Sequence, residues 1–219
     1  MKKQIALLAT AMLVLLIFSP MSAFAASPSF TDISEHWAES VIKNFADESI
    51  VLGFPDGTFR PDQPVTRAEL ARIITLAFRL TADAPFNFDD VSADAWYYEY
   101  LQFAASFIPN HQHGGTSFAG NANAFRIDVA ETLARLVMRD TEVDVPALEE
   151  ITFDVRNTFR DSDYMFGDIR YPNVQRLFRY TWLANRLQII QRDPSGYFLP
   201  AWGITRAELL VMIDRIRHH

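Results

Sequence analysis

Residues 30–74 read FTDISEHWAESVIKNFADESIVLGFPDGTFRPDQPVTRAELARII. Trp37, Val41, Ile42 and Phe45 keep the spacing of one helical face, and Leu70, Ile73, Ile74, Ala77 and Phe78 keep it again after Thr66. Glycine and proline punctuate the stretch between them, so it reads as helix, loop, helix. Working outward, the pattern recurs at an offset of 59, where Trp37, Val41, Ile42 and Phe45 fall on Trp96, Tyr100, Leu101 and Ala104. Phe59, Arg67 and Leu70 then fall on Phe118, Arg126 and Val129. A third copy stands at an offset of 139: Ile50, Val51, Pro55, Gly57, Phe59, Pro61 and Val65 become Ile189, Ile190, Pro194, Gly196, Phe198, Pro200 and Ile204. Thr66-Arg67-Ala68-Glu69 returns unchanged as Thr205-Arg206-Ala207-Glu208.

A unit of this size has one apolar stripe per helix and cannot bury both alone, so the expected fold is mostly α, three helix-loop-helix units pooling one core. The expected divisions are 26–85, 86–140 and 157–219, with 141–156 as a polar linker or surface excursion that absorbs the longer spacing before the third copy. Residues 1–25 are set apart. Lys2-Lys3, an apolar run from Ile5 to Phe18 and Ala23-Phe24-Ala25 read as a secretory signal peptide with its cleavage site. The apolar run is shorter than the ~20 residues that a bilayer-spanning helix needs. The mature chain is therefore expected to be secreted, with no membrane span.

The 219 residues carry 20 Lys+Arg against 27 Asp+Glu, a net charge of −7, and no cysteine. Disulfides, thiolate nucleophiles and Cys-ligated metal centres are excluded. The acidic balance argues against nucleic acid as a partner, since phosphate backbones are held by dense positive surface. An anionic partner would have to be met by local arginines.

The segment Phe30–Ile74 resembles the S-layer homology family, whose repeats join an F-x-D…HWA opening to G-F-x-D-G-T-F-x-P and a T-R-A-E helix start. The second unit keeps FDDV at 88–91, Trp96 and FRID at 125–128, and the third keeps FRD at 159–161, GYFLP at 196–200 and the full TRAE. The resemblance implies a pseudo-threefold helical assembly that holds acidic, often pyruvylated, cell-wall polysaccharide in grooves between repeats, at the wall or S-layer of a bacterial envelope. It implies no cofactor and no metal. Carried onto this sequence, it names Asp32, Trp37, Gly53, Asp56, Gly57 and Arg67 in the first unit. It names Asp90, Trp96 and Arg126 in the second, where Gln112, Gly115 and Thr116 replace the loop residues, and Asp161 and Arg206 in the third, where Arg192 replaces the first loop glycine. The first unit alone keeps the whole set, and its groove is expected to dominate.

The chemistry of these residues can also be read directly. Thr66-x-x-Glu69 and Thr205-x-x-Glu208 are capping boxes, and so are mainly structural. An arginine at the first helical position is locally unfavourable against the helix dipole, yet it recurs three times. Two readings stay open. The guanidinium and the free N–H groups of the helix start can share an acid group of a ligand, or the arginine can pair with Glu69, Asp128, Glu208 or the opening aspartates of a neighbouring unit. Trp37 and Trp96, beside apolar helical positions, are expected to pack mainly in the core, with at most an edge in a groove. Trp202 has no counterpart and either fills a groove or meets ligand.

Weaker patterns are set aside. His111-Gln112-His113 lacks a completing carboxylate and reads as a glycine-flanked loop. Asp161-x-Asp163 with Gly167-Asp168 does not fit an EF-hand and reads as a turn. Glu149-Glu150 is solvated charge, and nucleophile elbows, P-loops and dinucleotide fingerprints are absent, so no enzyme is expected. Two functions remain: a glycan-binding wall module, or a structural or protein-interacting envelope subunit with eroded grooves. The second gains from the worn loops and from a chain that the signal and three units account for.

Overall fold

The computed structural model describes residues 29–81, 86–110, 115–162 and 174–218. The expected signal peptide, the His111-Gln112-His113 loop, Asp163, Gly167 and Asp168 lie outside them. The described residues form seven α-helices and only isolated β-bridges: α1 Glu39–Asp47, α2 Arg67–Ala77, α3 Tyr98–Ala104, α4 Arg126–Asp140, α5 Leu148–Thr158, α6 Val174–Arg186 and α7 Arg206–Arg217. The mostly helical expectation holds.

Helix packing crosses between the sequence copies. Helix α3 packs on α2, α6 on α4, and α1 on α7, so the first helix of each copy leans on the second helix of another. The buried stripes of α2, α4 and α7 repeat position by position: Leu70, Val129 and Leu209, then Ile74, Leu133 and Ile213, are all fully buried. Each loop phenylalanine is buried against the opening phenylalanine of its own copy, Phe59 with Phe30 at 5.3 Å between ring centroids, Phe118 with Phe88 at 5.5 Å and Phe198 with Phe159 at 5.2 Å.

A closed ring of backbone hydrogen bonds ties the three long-helix starts together. Val65 N donates to Ile204 O at 2.8 Å, Ile204 N to Ala124 O at 3.1 Å, and Ala124 N to Val65 O at 2.9 Å. One residue earlier in each copy, Gly203 packs beside Pro64 and Asn123, where an added Cβ would lie in ordinary contact, 3.4 and 3.7 Å from theirs.

The stretch 141–156 is a linker only in its first half, where 141–147 is non-helical and lies at the surface. From Leu148 it forms α5, which packs on α6 through the buried Ile151 and Val155. The acids that suggested solvent, Glu149 and Glu150, lie in its first turn, where they complement the helix dipole.

Candidate functional site

The opening aspartates are built into the fold. Asp32 accepts the N–H of Phe59 and of Arg60, both at 2.7 Å. Asp90 accepts those of Phe118 and Ala119 at 2.7 Å and the hydroxyl of Ser117 at 2.8 Å. Asp161 accepts those of Phe198 at 2.8 Å and Leu199 at 2.7 Å. The second donor in each set has positive φ, 57° at Arg60, 53° at Ala119 and 60° at Leu199. The carboxylate thus holds a left-handed turn that an L-residue adopts at a cost. These hydrogen bonds, outweighing burial, hold Asp90 below the usual carboxylate range.

The loop residues are likewise occupied. Asp56 accepts the N–H of Thr58 at 3.0 Å and its hydroxyl at 2.5 Å, and pairs with Arg60 at 2.8 Å, so its carboxyl is lowered to about 2. Gly57 turns the chain at φ 81°, and its carbonyl accepts from Thr31 N at 3.0 Å. A Cβ on Gly53 would lie 2.4 Å from the Phe30 ring and 2.9 Å from Thr58 O, so the loop closes only with glycine there.

The helix-start arginines take the ion-pair alternative. Arg67, fully buried, donates from Nε to Phe118 O at 2.7 Å and pairs with Asp128 at 3.4 Å. Arg206 donates from Nε to Phe59 O at 3.0 Å, from Nη2 to Leu52 O at 3.1 Å, and pairs with Glu69 at 2.5 Å. Arg126 donates to Gln191 O at 2.6 Å and stands 3.9 Å from Glu208. Each guanidinium also lies over the loop phenylalanine of the neighbouring copy, Arg67 on Phe118, Arg126 on Phe198 and Arg206 on Phe59. Burial lowers the basicity of all three against the pull of their carboxylates.

The helix-start N–H groups are taken as well. Arg67 N and Ala68 N donate to Ala122 O and Gly120 O, Arg126 N and Ile127 N to Trp202 O and Pro200 O, and Arg206 N and Ala207 N to Gln63 O and Pro61 O. Glu69 N and Glu208 N donate to the capping threonines. The shared anion site expected at each helix start is therefore filled by the protein itself.

Exposure of the tryptophans corrects a second expectation. Trp37 is 62% exposed and Trp96 56% exposed, because both stand just before their helices, while Ala38 and Ile42, or Tyr97 and Leu101, carry the buried stripe. Trp202 is also largely exposed.

Trp96 is where a groove forms. A hollow of about 240 Å³ is lined by Val51, Leu52, Gly53 and Phe54 of the first loop, by Glu69, Arg72 and Ile73 of α2, and by Trp96 and Arg206. All three sequence copies meet there. Of the expected residues it gathers Gly53, Trp96 and Arg206. Asp32, Asp56 and Gly57 shape the loop, Asp90, Asp161, Arg67 and Arg126 act elsewhere, and Trp37 is not among its walls. Sequence reading missed Arg72, which donates to Ile50 O at 2.5 Å and has no carboxylate partner among the described residues. The available signal was its charge. Glu131 and Val211 stand at the corresponding positions of α4 and α7.

Residues 29–71 match the S-layer homology domain family. That stretch is similar to an S-layer homology (SLH) domain. The matched span includes Asp32, Trp37, Gly53, Asp56, Gly57 and Arg67, while Trp96 and Arg206 enter the groove from beyond it. The chain is 33% identical over 147 residues to the Surface-layer 125 kDa protein of Lysinibacillus sphaericus, covering 66% of this chain and 12% of that protein. It is 38% identical over 103 residues to S-layer protein EA1 of Bacillus anthracis, covering 46% and 12%. With Exoglucanase XynX of Acetivibrio thermocellus it shares 29% identity over 204 residues, 91% of this chain and 17% of that protein. The chain thus spans less than a fifth of each of these relatives. The SLH match and the S-layer relatives mark it as a bacterial cell-surface protein.

Proposed function

We propose that the chain is a noncatalytic wall-anchoring module that binds an acidic cell-wall polysaccharide, without covalent attachment, in the groove between the first loop, Trp96 and Arg206. The observation that carries this reading is the pairing of an exposed indole with a guanidinium lacking a carboxylate partner, Trp96 with Arg72, in one groove. A sugar ring packs its C–H face on the indole, and an acid substituent meets Arg72. Arg206, held by Glu69 and Leu52, positions the loop. That relatives as different as an S-layer protein and a long exoglucanase share this stretch over a small part of their length supports an anchoring role.

We also read the chain as three SLH-type units, 26–85, 86–140 and 157–219, about a pseudo-threefold axis. The ring Val65–Ile204–Ala124 and the exchanged helix packing support it. On this reading the first groove carries most of the binding. At the corresponding place in the second unit, Glu131 replaces Arg72 and Arg176 replaces the tryptophan, and the two pair at 3.5 Å, with Arg135 on the same carboxylate at 2.5 Å.

Pull-down on purified wall sacculi, with and without their attached polymer, tests the reading. Wild type should bind only sacculi that keep the polymer. Arg72→Ala should weaken binding by ~1.5–3 kcal/mol, the range for a charge-assisted contact, and Trp96→Ala should weaken it as well by removing the apolar face on which the sugar ring packs. Equal retention on stripped sacculi would instead favour a protein-interacting envelope subunit.

A further inference from the structure

The third copy holds a cleft that owes nothing to the Trp96 groove. The end of α5, the end of α6 and the loop 191–196 enclose an open hollow of about 750 Å³, whose walls include Thr158, Arg160, Asn185, Gln188, Arg192 and Asp193. A smaller hollow of about 90 Å³ shares Thr158 and Asn185 with it and adds Asp154, Trp182 and Arg186. Every residue named for either hollow lies between 154 and 196. Thr158 and Arg160 flank Phe159 at the opening of the third copy, just after the stretch 141–156 that lengthens the spacing before it.

The wall chemistry is specific. Arg160, Arg186 and Arg192 form no ion pair among the described residues, while the two aspartates present are engaged: Asp154 accepts Trp182 Nε1 at 3.0 Å, and Asp193 accepts Tyr197 N at 2.7 Å. Guanidinium groups therefore exceed carboxylates in this cleft, inside a chain of net charge −7. Arg160 runs along the open face of Gly196, where a Cβ would lie 3.3 Å from its Nε, and its own N–H donates to Gly196 O at 2.9 Å. The carboxamide of Gln188 already donates to Asn185 O and accepts from Gln191 Nε2, both at 3.1 Å, and its remaining capacity together with the carboxamide of Asn185 suits hydroxyl groups. Forked cations beside carboxamides in a wide polar hollow match a hydroxyl-rich acid.

We propose that this cleft is a second binding site, specific for an acidic sugar unit. It goes beyond the groove function and does not depend on it. The test uses the full chain, titrated with glucuronic acid, glucose and inorganic phosphate, and followed by calorimetry and by amide NMR shifts. Glucuronic acid should shift resonances of residues 158–160 and 185–196 and bind more tightly than glucose or phosphate. The double variant Arg160→Gln, Arg192→Gln should weaken it about tenfold, the equivalent of one charge-assisted contact. Both side chains are exposed, so melting should not change. Trp96→Ala should leave this binding intact even where it abolishes attachment to sacculi. Unchanged affinity in the double variant, equal binding of glucose or phosphate, or shifts confined to the Trp96 groove would each overturn the proposal.

Discussion

At the scale of single residues, charges that look like ligand groups are first of all parts of the fold. Asp128 shows how far this goes. It is 4% exposed and faces Arg67, yet burial pushes its carboxyl up to about 7 against that pull, with Glu131 adding to the rise. A folded value above the unfolded one favours the neutral acid. The contribution is full below the unfolded pKa of about 4 and is lost as pH rises through about 7. Asp128→Asn copies the neutral form, so wild type should lose stability relative to this variant between pH 4.5 and 7.5 in urea titrations. A constant difference across that window would contradict it. The arginines and aspartates were visible in the sequence as recurring positions, but recurrence could not say what they touch. Arg67, Arg126 and Arg206 recur because each bonds the neighbouring copy, and Asp32, Asp90 and Asp161 because each holds a left-handed turn. Arg72 was overlooked because it does not recur.

At the scale of elements, helix starts were the most legible feature. Thr66 and Thr205 both make reciprocal capping boxes with Glu69 and Glu208. Thr66→Ala and Thr205→Ala should each cost about 1 kcal/mol, read as a shift of the denaturation midpoint. The same caps bear on neighbouring copies, since Glu69 also holds Arg206, so Thr66→Ala should disturb the Trp96 groove while Thr205→Ala leaves it in place. Two element-level features were not legible. Apolar spacing placed Trp37 and Trp96 on buried stripes, but one turn of non-helical chain before each helix rotates the indole outward. The stretch before α6 reads as linker because Pro146 and five acids interrupt its apolar residues, whereas Ile151 and Val155 are enough to bury one face of α5.

For the whole molecule, closure of the helix packing and net charge set the behaviour. Helix α1 rests on α7, at the far end of the described chain. A chain ending near Arg139 removes α7 and opens the backbone ring at Ile204, so it should lose the cooperative melt of the full chain in calorimetry; a similar melt would deny the shared core. The charge of −7 matters at longer range, and falls to −9 if Lys2 and Lys3 are removed with the leader. An acidic protein repels a polyanion at distances beyond the Debye length of ~8 Å at physiological ionic strength, while a guanidinium in a groove attracts an acid group at contact. Added salt screens the repulsion more than the contact. Attachment to wall polymer should therefore weaken only modestly between low and physiological salt, or even gain in rate, whereas removing the acid substituents of the polymer should abolish most of the affinity. Binding that collapsed steeply with salt would mean that long-range attraction dominates, and neither Arg72 in its groove nor the arginines of the third copy could then account for recognition.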